Sequence, residues 1–279
     1  MNSKLKDKIC LITGATSGIG FHTAVGLAQR GVKIVFTSFT TEEGNKTKAE
    51  IIKLSGNPAV EAIQCDLGSF ASIKNCCNVF LSKYSKLHIL INNAAVLVRK
   101  RTLTVDGIEK TFAINYLAVF LMTMLLKNTL IQSAPSRIIN VTSRSFKIGR
   151  INFSDIEMKN GYRGINAYTQ SKLALNLFTK TTAEQLEGTG VTVNCVHPGR
   201  VNTNIINSLN PLVQYFVRLT MMRPERGAEP LLYLAASETL NGISGAYFDR
   251  KIRKNTGKIT NEKEISERLW KLSGQYSRL

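Results

Sequence analysis

The run Thr13-Gly14-Ala15-Thr16-Ser17-Gly18-Ile19-Gly20 follows a short apolar stretch, Lys8 to Ile12, and precedes a segment with helical patterning, Phe21 to Arg30. Strand, glycine turn and helix in that order open a βαβ unit. Glycines at 14, 18 and 20 permit a tight turn and let an anion approach backbone N–H groups at the helix N-terminus. A dinucleotide pyrophosphate fits that description. The spacing is G-x-x-x-G-x-G rather than the commoner G-x-G-x-x-G, and taken alone such a loop also serves as a plain strand–helix turn.

The same alternation continues downstream. Lys33 to Thr37, Val60 to Cys65, Leu87 to Ile91, Arg137 to Thr142 and Thr192 to His197 read as strands, with Gly245 to Phe248 as a seventh. Helices fall between them: from Thr41 and Glu42 through Leu54 to the breaker Gly56-Asn57-Pro58, from Ser69 to about Tyr84, and from about Val105 to Gln132. This pattern predicts an α/β fold with a doubly wound, mostly parallel sheet and helices on both faces, a single Rossmann-type domain over residues 1–279. Segments 144–166 and 202–226 are expected to wall a substrate site, and 250–279 to form a basic tail.

Composition narrows the partners. With 37 Lys+Arg against 19 Asp+Glu the net charge is +18, which favours anionic partners (a phosphorylated cofactor, acidic lipid headgroups or nucleic acid), the alternative being a solvated basic surface with no partner. The five cysteines have no CxxC pair or zinc spacing, and His22, His88 and His197 are far apart, so no metal site is expected. No secretory signal is visible at the start, and the longest apolar stretch, Phe112 to Leu126, falls short of the roughly 20 residues of a membrane span. A reducing intracellular setting, cytoplasmic or peripheral to a membrane, is the expectation.

Tyr168 and Lys172 lie one helical turn apart and share a face. A phenol near pKa ~10 is a poor base at neutral pH, and a neighbouring ammonium is expected to lower that value. By itself the pair also suits an exposed cation–aromatic contact. In company with TGATSGIG, Asp66-Leu67, NNAA, Asn115, Ser143, YTQSK and HPGRVNT, in this order, the chain resembles a short-chain dehydrogenase/reductase of the classical type over about residues 7 to 249. SRIINVTS, GVTVNCVHPG, the long gap between Ser143 and Tyr168, and ERLWKLS make it similar to the retinol dehydrogenase-like branch.

The resemblance implies NAD(P)-dependent hydride transfer between a nicotinamide and a carbonyl or alcohol. Gly14, Ser17, Gly18, Ile19 and Gly20 would form the cofactor loop, and Asp66 and Leu67 would border adenine. Asn92 and Ala94 would line the cleft and steady the sheet. Ser143 would hold the carbonyl oxygen, Tyr168 move the proton, and Lys172 bind the nicotinamide ribose. Asn115 would hold a relay water. Pro198, Gly199, Val201 and Thr203 would contact the nicotinamide end. The alternative is a noncatalytic nucleotide-binding scaffold.

Two departures stand out. Ala95 replaces the family's usual glycine. After the second strand, Thr37-Ser38-Phe39-Thr40 offers neither the arginine that related enzymes place near Phe39 nor the carboxylate of NAD-selective ones. Unrepelled by a carboxylate there, and with neutral donors such as Ser38 near the ribose, NADP(H) is the expected cofactor, with NAD possible.

Phe146, Ile148, Phe153, Ile156, Leu209, Leu212, Phe216 and Met221 either wall an apolar pocket for a lipophilic aldehyde or ketone, retinoid- or steroid-like, or pack a lid. The clusters Arg99-Lys100-Arg101 and Arg250 to Lys254 invite peripheral contact with acidic membrane, though a solvated charged face has the same sequence. Without interleaved aromatics they do not suit nucleic acid. The apolar helix from Val105 and the Tyr168 helix resemble those that pair across subunits in the family, so a homo-oligomer is expected.

Overall fold

The computed structural model describes residues 5–201, 222–257 and 263–278. Its sheet has eight strands in the order β3-β2-β1-β4-β5-β6-β7-β8. They are β1 (Ile9–Ile12), β2 (Lys33–Ser38), β3 (Val60–Gln64), β4 (Ile89–Asn92), β5 (Ser136–Val141), β6 (Val191–His197), β7 (Tyr247–Asp249) and β8 (Ile252–Lys254). All neighbours pair in parallel except β7 and β8. The strand order reverses beside β1, and at such a switch point a crevice opens outside the carboxyl ends of the strands. This is the doubly wound Rossmann arrangement the alternation predicts.

The strands are buried on both faces. On β1, Cys10 and Ile12 point into one apolar cluster and Leu11 into the other; on β2, Ile34 and Phe36 oppose Val35 in the same way. That is the period of two expected of a strand with helices above and below. Helix α1 (Gly18–Ala28) is buried nearly all round. Helix α2 (Thr41–Ser55) starts at the Thr40 cap and stops at Gly56, where φ is 69°. Helix α3 (Phe70–Lys83) starts at the Ser69 cap.

Helix α4 (Lys110–Gln132) begins five residues later than its apolar pattern suggested. Residues 104–108 form a turn instead, with Thr104 N–H donating to Ile108 O at 2.9 Å and Gly107 N–H to Thr104 O at 3.0 Å. Glu109 then caps the helix, its carboxylate accepting from the N–H groups of Thr111 (2.8 Å) and Phe112 (2.7 Å). Residues Ala113–Leu117 form a π turn. The helix has 23 residues and a mean hydropathy of 1.5, long and apolar enough to cross a bilayer, but 67% of that window is buried in the protein. It is a core helix here.

Helix α5 (Gly164–Gln185) carries Tyr168 and Lys172, and α6 (Pro224–Ala236) packs on α1. The stretch read as a basic tail contains two elements. Residues 252–254 form edge strand β8, whose charged side chains blunt a free edge. Helix α7 (Lys263–Ser277) docks against α4 and α5. Trp270 stacks on Phe178 at 5.8 Å and meets Phe120 edge-on at 5.1 Å, while Tyr116 and Ser273 share a 2.7 Å hydrogen bond. The C-terminal helix thus packs on the part of α4 and α5 that carries Tyr116, Phe120 and Phe178.

Candidate active site

A cleft of about 670 Å³ opens at the carboxyl ends of the strands and runs from the end of β2 to the start of α5. The glycine turn forms part of its wall. Gly14 has φ +66°, and a Cβ there would lie 2.8 Å from the Cα of Ala94. A Cβ on Gly20 would collide with the carbonyl of Gly14, so Gly20 faces the turn and not the cleft. Ser17, Gly18 and Ile19 line the cleft at the α1 N-terminus. The first N–H groups of a helix have no intrahelical acceptor, and no acidic residue stands in the first turn of α1 to compete for them. The positive end of this helix has the chemistry to receive an anion.

The end of β4 supplies the facing wall, with one correction. Asn92 does not line the cleft: it is buried, and its Nδ2 donates to Asn140 Oδ1 at 2.8 Å, tying β4 to β5. Its neighbour Asn93 is at the cleft instead. Asn93 Nδ2 donates to Gly14 O at 2.8 Å, and Thr13 Oγ1 accepts from the N–H groups of Asn93 (3.0 Å) and Ala94 (3.1 Å). The second asparagine of the pair was the signal in the sequence, since side chains alternate at a strand end. Ala94 and Ala95 both line the cleft, so the extra methyl of Ala95 is accommodated.

Asn115 lies in the π turn beneath the cleft, 1% exposed. Its Oδ1 accepts from Val96 N–H at 2.8 Å, and its Nδ2 donates to Val96 O (2.9 Å) and Ser171 Oγ (3.0 Å). Both amide hydrogens are therefore used by the protein, and a water could meet this side chain only through the oxygen's remaining lone pair. The residue fixes Val96, which lines the cleft, against the helix turn that carries Lys172.

Ser143, Tyr168 and Lys172 come together at the far end. Ser143 caps a short 3₁₀ turn (Arg144–Ile148) just beyond β5. Lys172 is 2% exposed; its Nζ donates to Val141 O at 2.9 Å and lies 5.6 Å from the centre of the Tyr168 ring. Asn176 Nδ2 donates to Thr142 Oγ1 (2.6 Å) and Lys172 O (2.8 Å), locking α5 to the end of β5. Here an expectation is corrected. Burial pushes the Tyr168 phenol up to about 12, opposed by the nearby Ser143 hydroxyl and not by Lys172. Burial also brings Lys172 down to about 7, so its titration falls in the neutral range.

The two ends of the cleft differ in charge. Ser38, Phe39, Asp66 and Leu67 line one end, joined by Glu43, which sequence reading did not weigh. The NADP(H) expectation counted no charge at the strand end; helix α2 brings a carboxylate into the same space. Pro198, Gly199 and Val201 line the other end, joined by His197 and Arg200, also missed. Thr203 lies outside the described residues. Burial pushes His197 down to about 4.

The wall residues named from sequence behave differently. Phe146 is fully buried against Tyr247, Ile156 is buried, Ile148 is exposed and Phe153 lies under Arg268; none lines the cleft. Leu209, Leu212, Phe216 and Met221 lie outside the described residues. The apolar lining comes instead from Val96, Leu97, Ile114, Val141 and Val201. Among the described residues no group of three His, Cys, Asp or Glu side chains is placed to hold a metal ion. The five cysteines are free and buried.

A parallel sheet with a glycine turn at its switch point, and a Ser–Tyr–Lys group across the cleft, defines a nicotinamide-dependent dehydrogenase. The family model for short chain dehydrogenases matches residues 8–213. Mouse retinol dehydrogenase 11 is 37% identical over 275 residues, covering 98% of this chain and 87% of that protein. Human retinol dehydrogenase 12 is 37% identical over 274 residues, covering 98% and 87%. Among solved structures, the RhlG/NADP active-site complex of Pseudomonas aeruginosa has a TM-score of 0.73 at 25% identity, covering 89% of this chain and 97% of that one. A protein of Mycobacterium paratuberculosis has a TM-score of 0.79 at 26% identity, covering 98% and 94%. The chain belongs to the short-chain dehydrogenases, in the retinol dehydrogenase-like branch, and is an NAD(P)-dependent oxidoreductase.

Proposed function

We propose that this enzyme interconverts a lipophilic carbonyl compound and its alcohol, with Tyr168 as the group that moves the proton. The observation that carries the reading is that the hydroxyl side chains of Ser143 and Tyr168 line the same end of a cleft walled by Val96, Leu97, Ile114 and Val201, with Lys172 Nζ 5.6 Å from the Tyr168 ring. A carbonyl oxygen set between those hydroxyls accepts two hydrogen bonds, and the developing negative charge on it is met by a proton from Tyr168.

The nicotinamide, when bound, supplies or accepts the hydride. Ser17, Gly18 and Ile19 would hold its pyrophosphate, Asp66 and Leu67 its adenine, and Pro198, Gly199, Val201 and Thr203 its nicotinamide end. Lys172 would bond the nicotinamide ribose. With its titration brought into the neutral range by burial, Lys172 can also pass a proton between Tyr168 and solvent. Asn115 serves this arrangement by holding Val96 and the Lys172 turn in place; any relay water would sit on its oxygen.

Cofactor-dependent turnover of a panel of retinoid, steroid and simple carbonyl substrates tests the reading. Tyr168→Phe is expected to abolish turnover and leave nucleotide affinity unchanged. A noncatalytic scaffold shows no turnover to lose, and unchanged turnover in Tyr168→Phe overturns the role of the phenol.

A further inference from the structure

We infer that Glu43 selects the dinucleotide without a 2′-phosphate, so that this chain works with NAD(H). The inference rests on the nucleotide-binding reading above and goes beyond it. Glu43 is held at the adenosine end by the start of α2. Thr40 Oγ1 accepts from Glu43 N–H at 3.2 Å, fixing the first turn. The next residue, Gly44, packs so closely on β2 that a Cβ there would lie 2.5 Å from Ser38 Oγ. The helix start is thereby pinned to the strand end, and the Glu43 side chain enters the cleft beside Ser38 and Phe39.

The charges in the cleft are divided. Among the described lining residues, the anions Glu43 and Asp66 are at the adenosine end, while the cations Lys172 and Arg200 are at the other. A phosphate on the 2′ position adds close to two negative charges. Here it meets carboxylates and no lining cation. The positive end of the α2 dipole offers little relief, because Glu42 and Glu43 already occupy the first turn.

The neutral donors at this end of the cleft are engaged or suit a ribose better. Thr40 is occupied as the cap, and Thr41 Oγ1 donates to Gln64 Oε1 at 3.2 Å. Ser38 Oγ is buried, lines the cleft and has no hydrogen-bond partner in the protein. A ribose diol satisfies both sides of this arrangement. One hydroxyl donates to the Glu43 carboxylate and the other accepts from Ser38 Oγ, as a carboxylate does for NAD at other strand ends. The carboxylate is supplied from the helix instead of the strand.

Titration of the full chain with NAD⁺ and with NADP⁺ by calorimetry tests this. The unaltered protein is expected to bind NAD⁺ at least about tenfold more tightly, Glu43→Gln to narrow the ratio by about tenfold, and Glu43→Lys to reverse it, since tenfold corresponds to a single modest charge–charge contact. Tighter binding of NADP⁺ by the unaltered protein, or a ratio that Glu43→Gln leaves in place, overturns the inference while leaving the dehydrogenase reading intact. Failure of both dinucleotides to bind overturns the two together.

Discussion

The reaction end of the cleft and the segment that lies outside it are held by different means. The floor, with Ser143, Tyr168 and Lys172, is fastened by short bonds within one strand–helix pair: Lys172 Nζ to Val141 O, and Asn176 to Thr142 and Lys172. The outer segment, residues 150–163, has no long regular element and is held by side chains from distant parts of the chain. Gln170 bonds it twice, accepting from Asn152 N–H at 3.0 Å and donating to Ile156 O at 2.7 Å. Glu157 accepts from Tyr276 of α7 at 2.9 Å and from Glu109 N–H at 3.2 Å, and Arg101 Nε donates to Glu157 O at 3.0 Å. Chemistry is thus built on the core, and the outer segment is strapped on by side chains of α5 and the C-terminal helix together with Arg101 and the Glu109 backbone.

The sharpest way to separate the two is Tyr168→Phe, which should lower kcat by about 10²- to 10⁴-fold, the usual worth of a positioned acid–base group. Thermal unfolding should stay close to that of the parent, because the variant keeps the ring and its packing and removes only the hydroxyl of a residue that lines the cleft. A large fall in Tm with this variant would show that the floor is not self-supporting.

Leu269→Ala should reverse the pattern. Leu269 is 1% exposed in the cluster that joins α7 to α4 and α5. Truncating it should cost about 2–5 kcal/mol and be visible as a lower Tm, with KM rising more than kcat falls. Equal loss in both kinetic constants would deny the division between floor and strap.

The same contrast explains what was legible in the chain. The glycine turn, the strand order and the Tyr168–Lys172 spacing are local patterns that one strand–helix pair fixes, so they could be read directly. Asn92 was placed at the cleft and Asn93 passed over because alternation at a strand end decides which of two identical residues faces the cleft. The Tyr168 phenol was expected to be lowered because spacing shows the ammonium but not the burial that outweighs it. Glu43 was passed over because attention to the strand end ignores a helix that follows it. Helix α7 was unread because its partners, Tyr116, Phe120 and Phe178, lie far away in sequence.

Acid should weaken the sheet before either side of the cleft is altered by mutation. Burial pushes both His88 and His197 down to about 4 from an ordinary value near 6.5. His88 Nδ1 accepts from Ile9 N–H at 3.0 Å, which requires the neutral ring. Between these values the unfolded chain binds protons that the fold refuses, so stability rises with pH from about 4 to 6.5 and is lost on descent through that window. Denaturant unfolding across pH 4 to 7 should show this slope, and His88→Gln should flatten part of it. A stability independent of pH over the window would mean that these rings charge freely in the fold.

The smallest effect is the most specific. Tyr276→Phe removes one hydroxyl that donates to the Glu157 carboxylate and leaves the ring against Phe112, 6.4 Å between centres. A hydrogen bond to a charged group contributes about 1.5–3 kcal/mol, but Glu157 keeps its bonds from Glu109 and Arg101, so the net loss should sit near or below the lower figure. Stability should therefore change little. What should move is KM for the carbonyl substrate, by a few-fold, with kcat and nucleotide affinity unchanged, because the freed carboxylate loosens residues 150–163 and does not touch the Ser143–Tyr168 pair. If Glu157→Gln, which keeps the shape and weakens the same bond, reproduces the KM shift, the strap acts through this contact. If Tyr276→Phe lowers Tm without moving KM, α7 only covers an apolar face, and the outer segment is held by Gln170, Glu109 and Arg101 without it.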